Sequence, residues 1–240
     1  MFSFLKRKST APSIPLTTDV HSHLLAQLDD GVKSLDEAVD LIVRFKALGF
    51  SKVITTPHIN SDYYRNDPST IHEKLQELKA ILNQKKIAIN LEAAAEYLLD
   101  EELARKLASR EKLLTFGNSY LLFETNFFSE PLNLKEFIFN ATSAGYRLVL
   151  AHPERYHYMN LSKAQDLRDR GVLFQINVPS LVGLYSRPIQ KMAYQLIDKG
   201  WIDFLGSDCH NAIHLDVMKE AQRNKYYQKA LTFPLLNNSL

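Results

Sequence analysis

The chain has 240 residues, 45% of them hydrophobic, and its 29 basic side chains nearly balance 27 acidic ones. A formal charge of +2 with the signs interspersed excludes a polybasic nucleic-acid footprint, and the composition is that of an ordinary folded protein. The single cysteine, Cys209, excludes an internal disulfide and fits a cytoplasmic setting, and no apolar run is long enough to read as a transmembrane helix.

Residues 1–16 form a lead-in: an apolar start, then Lys6, Arg7 and Lys8, then a proline-broken stretch. In a secretory signal the charges precede a longer apolar run, so this segment reads as a flexible terminus, with a weak membrane-surface or oligomer contact as the alternative. Residues 17–240 read as one domain, since no linker or low-complexity stretch divides them.

Seven apolar stretches, 17–23, 52–58, 88–96, 120–125, 147–152, 173–178 and 202–208, read as strands, each followed by helical periodicity. In the first helix, 34–48, an apolar stripe runs through Leu35, Ala38, Val39, Ile42, Phe45 and Leu48, and Ser34 with Glu37 forms a capping box. Thr70 with Glu73 and Ser162 with Gln165 repeat that signature, and Pro188 suits a first helical turn. Gly49, Gly145, Gly171 and Gly200 stand where helices end. Alternating strands and helices demand parallel pairing with right-handed crossovers, which predicts a distorted (β/α)7 barrel of the TIM type. An open doubly wound sheet is the rival, but no Gly-x-Gly-x-x-Gly turn follows the first strand.

Almost every metal-ligating residue type falls at the C-terminal end of one of these strands, where a β/α barrel builds its active site. Asp19-Val20-His21-Ser22-His23 closes the first, and its two histidines, two apart, leave the same face. Asp29-Asp30-Gly31 follows in the loop, then Pro57-His58, Ala95-Glu96-Tyr97, Phe123-Glu124-Thr125, Ala151-His152-Pro153-Glu154-Arg155 and Ser207-Asp208-Cys209-His210. Mixed His, Asp and Glu donors favour a multinuclear site for manganese, iron or zinc over a cysteine-rich structural zinc. Glu154, His72 and His157 read as surface residues, and Tyr63 or Tyr64 as a candidate lining of an aromatic pocket.

In this order the motifs resemble the polymerase and histidinol phosphatase (PHP) superfamily, and within it the bacterial metal-dependent protein tyrosine phosphatases of capsular and exopolysaccharide synthesis. The resemblance covers roughly residues 17 to 230. It implies the PHP fold and a trinuclear cluster held by His21, His23, Asp30, His58, Glu96, Glu124, His152, Asp208 and His210, with Mn2+ the first choice and Fe, Zn or Mg as alternatives. It also implies that Arg155 contacts phosphate and acts with His210 in catalysis, while a metal-bound hydroxide hydrolyses phosphotyrosine on a protein. A membrane-bound bacterial tyrosine kinase is the implied partner, placing the protein in the cytoplasm, peripheral to the inner membrane face, and a homo-oligomer stays open.

Where relatives carry a further arginine after Ser-Asp-x-His, this chain has none, so Arg65 or His214 is the candidate replacement, and Arg65 and Tyr63 are candidate substrate contacts. Pro179 also stands where a small residue is expected. Three rival functions remain. A cysteine-dependent phosphatase needs an arginine six residues after Cys209, but Leu215 is there, so Cys209 reads as a small buried apolar residue. A small-molecule PHP phosphoesterase such as a histidinol phosphatase is the second, and a catalytically silent kinase-binding scaffold the third.

Overall fold

Strand pairing is parallel throughout in the computed structural model, which describes residues 14–240. One ladder contains β1 (Thr18–Asp19), β2 (Lys52–Thr55) and β4 (Asn90–Ala93). The other runs β3 (His58–Ile59), β5 (Glu96–Leu98), β6 (Tyr120–Glu124), β7 (Arg147–Ala151), β8 (Leu173–Asn177) and β9 (Phe204–Gly206). The second and third expected strands are thus each broken in two. Pro57 has no N–H to give to a ladder, yet Ala94 N still donates to Thr55 O at 2.9 Å and Glu96 N to Pro57 O at 3.2 Å, so the wall continues across the break.

The ring closes through the first stretch. Ser22 bridges Cys209 in parallel, Asp208 N donates to His21 O at 2.8 Å, and His23 N donates to Cys209 O at 2.9 Å. Asp19 locks the seam: its two carboxylate oxygens accept from Ser207 N at 2.7 Å and Ser207 Oγ at 2.9 Å. The expected seven-unit parallel barrel is therefore present.

Helices α1 (Leu35–Ala47), α2 (Pro68–Gln84), α3 (Glu101–Ala108), α4 (Leu134–Ser143), α5 (Leu161–Asp169), α6 (Arg187–Asp198), α7 (Ala212–Ala221) and α8 (Lys225–Ala230) cover the outside. Ser34 Oγ accepts from Glu37 N at 3.2 Å as expected, while Glu37 reaches back to Lys33 N at 2.8 Å. The other two caps differ from expectation. Asp67, followed by Pro68, caps α2 in place of Thr70, and Asn160 caps α5 in place of Ser162. A carboxylate takes two amides at once, Ser69 N at 2.8 Å and Thr70 N at 2.9 Å, and Pro68 fixes the first-turn φ, so the helix begins earlier. Pro188 does sit in the first turn of α6, and the four helix-ending glycines have φ between +70° and +98°.

Two apolar layers result. Val20, Ile54, Ala94, Leu122, Val149, Ala151 and Phe204 fill the inside of the ring, with Phe116 and Tyr120 against them. Their neighbours, such as Val53, Leu121 and Phe123, pack outward with the helices, as a period of two requires. Of the expected flexible lead-in, residues 1–13 lie outside the described residues, and Leu16 is already buried in the outer layer.

Candidate metal centre

In five of the seven stretches the inward file turns from apolar to polar on its way to the C-terminal rim. Ile54 is followed at steps of two by Thr56 and His58, Ala94 by Glu96, Leu122 by Glu124, Leu173 by Gln175 and Asn177, and Phe204 by Gly206 and Asp208. A period-two strand therefore aims apolar groups and donors into the same interior. Two rim residues depart from ordinary backbone: His152 (φ +33°) and Asp208 (φ +51°) are left-handed without being glycine, a conformation that costs free energy and gathers at functional sites.

All nine expected ligand residues come together. Ligand-type atoms lie within 4.8 Å of one another in four overlapping groups: His23 with Asp30, His58 and His210; His21 with His23 and Asp208; His21 with Glu96 and His152; and His58 with Glu96 and Glu124. Fully buried Glu96 is shared, with Oε2 3.0 Å from His21 Nε2 and Oε1 3.0 Å from His152 Nε2. His58 Nδ1 is 3.3 Å from Glu96 and 3.2 Å from Glu124.

Outer contacts fix which ring nitrogen faces the centre. His23 Nδ1 pairs with Asp29 Oδ2 at 2.7 Å and His21 Nδ1 with Gln175 Oε1 at 2.7 Å, which leaves both Nε2 atoms facing inward, 3.3 Å apart. His210 Nδ1 donates to the carbonyl of Asp208 at 2.9 Å, and its Nε2 lies 3.5 Å from Asp30. The glycine of Asp29-Asp30-Gly31 has a steric reason: a Cβ there would sit 2.3 Å from His23 O and 2.5 Å from His23 Cβ.

The electrostatics are those of a largely buried cage of opposed charges. Burial opposes charge on His21, Glu96 and Asp208, yet the neighbouring Glu96 and Asp208 raise His21 to about 9, and the imidazoles hold Glu96 and Asp208 well below the usual carboxylate range. Burial opposes ionisation of Asp29 too, but His23 keeps it ionised. The donor set fits metal ions. It combines imidazole with carboxylate, and the buried His58 Nδ1, which faces Glu96 and Glu124, has no hydrogen-bond partner, as a nitrogen aimed at a cation would not.

Arg155 lies at the edge of this cage, its Nη1 donating to Asp208 Oδ2 at 2.8 Å. Its guanidinium stands between the rings of Phe127 at 4.8 Å and Tyr185 at 4.4 Å, a stacking that only a planar cation makes well. Asp30, Arg155, Tyr185, Asp208, His210, Asn211 and His214 line an open cavity of about 290 Å³.

Several expectations need correction. Arg65 stays out of the cage: its Nε donates to Ser61 O at 2.7 Å, and it lines a separate cavity of about 380 Å³ that includes none of the nine residues. His214 is at the rim, but burial lowers it to about 4, so it stays neutral near pH 7 and supplies no charge. Tyr63 is 81% exposed, and it is Tyr64 whose ring stacks on His58, 5.6 Å away.

Glu154 is buried, not on the surface. The turn Pro153–Arg155, entered through left-handed His152, brings its Oε1 against Asn177 N at 2.9 Å and Ser180 Oγ at 2.7 Å, and burial raises its pKa. Cys209 is buried as expected, with its thiol pushed well up by burial. His72 and His157 are exposed, as expected. Sequence reasoning missed Gln175, Asn177, Phe127 and Tyr185, and it named Asp29 in its motif without a role. For Gln175-Ile176-Asn177 a signal existed, two polar residues two apart inside an apolar strand, whereas nothing local marked Phe127 or Tyr185.

The family model described as capsular polysaccharide synthesis, CpsB/CapC, matches residues 17–230. A CapC protein of Staphylococcus aureus is 29% identical over 228 residues, covering 92% of this chain and 89% of its own length. The tyrosine-protein phosphatase YwqE of Bacillus subtilis is 28% identical over 215 residues, covering 89% and 82%. Among solved structures, one described as YwqE from Bacillus subtilis and CpsB from Streptococcus pneumoniae, unique metal-dependent tyrosine phosphatases, superposes with a TM-score of 0.77 at 27% identity. That match covers 89% of this chain and 84% of the other. A β-aspartyl dipeptidase from Fervidobacterium islandicum AW-1, with a TM-score of 0.52 at 10% identity over 94% of this chain and 72% of the other, shares the fold alone.

Proposed function

The chain belongs to the CpsB/CapC family of capsular polysaccharide synthesis, and from that membership together with the donor cage we propose that it is a metal-dependent protein tyrosine phosphatase. The observation that carries this reading is the convergence of nine His, Asp and Glu residues from the strand ends and one rim loop in four overlapping groups, two of which share Glu96. His21, His23, Asp30, His58, Glu96, Glu124, His152, Asp208 and His210 would hold a trinuclear cluster, with manganese as the first candidate and iron, zinc or magnesium as alternatives.

Bound ions would supply Lewis acidity for the phosphate oxygens and lower the pKa of water, which a reaction as slow as phosphate monoester hydrolysis demands. The chain's own groups do the rest. Arg155 offers a permanent planar cation for the phosphate oxygens beside the cage, and Phe127 and Tyr185 hold it there. His210 commits Nδ1 to the Asp208 carbonyl, which leaves Nε2, 3.5 Å from Asp30, as its one nitrogen for a metal ion.

The substrate on this reading is a phosphotyrosine protein, and the family's link to capsule synthesis favours a membrane-bound tyrosine kinase met at the cytoplasmic face. No helix among the described residues is long and apolar enough to cross a membrane, so that meeting would depend on the partner. The test compares kcat/KM for a phosphotyrosine peptide, a phosphoserine peptide and histidinol phosphate, with metal content measured in parallel. The expected result is a clear preference for phosphotyrosine that chelation abolishes and manganese restores. A preference for histidinol phosphate would transfer the case to a small-molecule phosphoesterase, and absence of turnover with the metals bound would favour a kinase-binding scaffold.

A further inference from the structure

We propose that Gln175 and Asn177, two buried amides on β8, are positioning residues that set the metal-facing nitrogen of His21 and the orientation of Asp208 as one polarised chain. The proposal rests on His21 and Asp208 being metal ligands. Four contacts carry it: Asn177 Nδ2 donates to Asp208 Oδ2 at 2.7 Å, Gln175 Nε2 donates to Asn177 Oδ1 at 2.9 Å, Gln175 Oε1 meets His21 Nδ1 at 2.7 Å, and Glu154 Oε1 holds Asn177 N at 2.9 Å.

The chain has only one consistent direction. An ionised carboxylate can only accept, so Asn177 must turn its NH2 group to Asp208 and its oxygen to Gln175. Gln175 must then donate to that oxygen, which leaves its own oxygen for His21. An oxygen facing Nδ1 requires the hydrogen on Nδ1, and Nε2 is left to face Glu96 and His23. Asp208 thereby fixes the tautomer of a histidine whose Nε2 lies 3.4 Å from its other oxygen. Both amides are fully buried, so neither can exchange its partners for water. The packing leaves no slack, since a Cβ on Gly206 would come within 2.6 Å of Gln175 Nε2 and 2.8 Å of His21 Cβ.

The test uses full-length Gln175→Leu, Asn177→Ala and Asn177→Asp, with His21→Ala as the reference for a lost ligand. Manganese(II) affinity is read by chelator competition, and the His21 tautomer by long-range nitrogen–proton NMR on zinc-loaded, diamagnetic protein. We expect hydrogen on Nδ1 in the wild type, a mixed or reversed tautomer in Gln175→Leu, and metal affinity about 10- to 100-fold weaker there. Asn177→Asp, though closer in shape to asparagine, should bind manganese more weakly than Asn177→Ala, because it sets a second acceptor against Asp208. A purely structural role predicts the opposite order. If Gln175→Leu fails to fold, the Asn177 pair decides. Loss of metal in His21→Ala with unchanged affinity in Gln175→Leu and in both Asn177 variants would overturn the positioning role alone. Full metal retention by His21→Ala would remove the ligand assignment and this proposal with it.

Discussion

Asp208 divides its two oxygens between Arg155 and the metal cage: Oδ2 accepts from Arg155 Nη1 at 2.8 Å, while Oδ1 lies 3.4 Å from His21 Nε2. The guanidinium is therefore held at the edge of the cage before any phosphate arrives, stacked between Phe127 and Tyr185. Preplaced charge of this kind needs no reorganisation during reaction.

Removing that charge should damage turnover without stripping the metals. Arg155→Ala is expected to lower kcat/KM on a phosphotyrosine peptide by about 10²- to 10³-fold, the usual cost of one preorganised donor. Arg155→Lys should recover part of it, because lysine keeps the charge but loses the planar fork and the stacking. Steady-state kinetics beside metal analysis checks this, and wild-type kcat/KM in Arg155→Ala would exclude a phosphate contact.

Gly31 is required by contact, not by backbone freedom. A methyl group there meets His23 O at 2.3 Å and His23 Cβ at 2.5 Å, both rigidly held, so Gly31→Ala must displace the loop that carries Asp29 and Asp30. We expect metal content and activity to fall together. Gly49→Ala is the comparison, since a Cβ there meets nothing within 4 Å and only the φ of +98° opposes it. It should lower Tm and leave metal content per folded molecule unchanged. Full metal loading in Gly31→Ala would contradict the steric account.

Cys209 should be chemically silent. Its side chain is fully buried, and burial together with Asp19 and Asp208 pushes the thiol pKa well up, which removes the thiolate a nucleophile needs. Cys209→Ser is expected to retain catalysis while losing some stability, because a hydroxyl replaces a weakly polar sulfur in an apolar setting. Alkylating reagent should leave native turnover intact. Complete loss of turnover in a folded, metal-loaded Cys209→Ser would point to a cysteine mechanism.

The Asp67 cap gives a pH signature away from the cage. Its amide and hydroxyl donors, with Ser69 first, lower the carboxyl from 3.8 to about 2. A depressed carboxyl adds stability that is fully present above its unfolded pKa and is lost as pH falls through the folded value. Asp67→Ala should therefore cost about 1 kcal/mol at neutral pH, and the gap to wild type should shrink between pH 3.8 and about 2. Urea titrations across that range check it, and a gap that stayed constant would mean the ionised carboxylate is not the cap.

The alternation of strands and helices, the parallel ring and the gathering of donor residue types at strand ends were legible in the sequence from short-range chemistry, whereas the full set of nine came from the resemblance to a family. Period two places Ile54 and His58, or Leu122 and Glu124, on one inward face whatever else the chain does. Glycines after helices and proline in the first turn of α6 act through their own φ preferences. The cap of α2 was misplaced because Asp67 and Thr70 both carry capping side chains, and only Pro68 and the carboxylate's two acceptances separate them.

Closure of the ring decided what no local pattern holds. Gln175 meets His21 across 154 residues of sequence, and Asp19 meets Ser207 across 188, so the ring nitrogen that faces the cage is chosen by a strand far away. The same closure sends Arg65 into a neighbouring cavity, pulls Glu154 under the rim and brings Phe127 and Tyr185 to either side of Arg155. Residue type sets which chemistry a side chain can perform, and a periodic backbone sets the face it leaves from. Its protonated atom, partner and burial depend on what the opposite strand brings, and in a parallel barrel that strand is joined to it only by long-range hydrogen bonds.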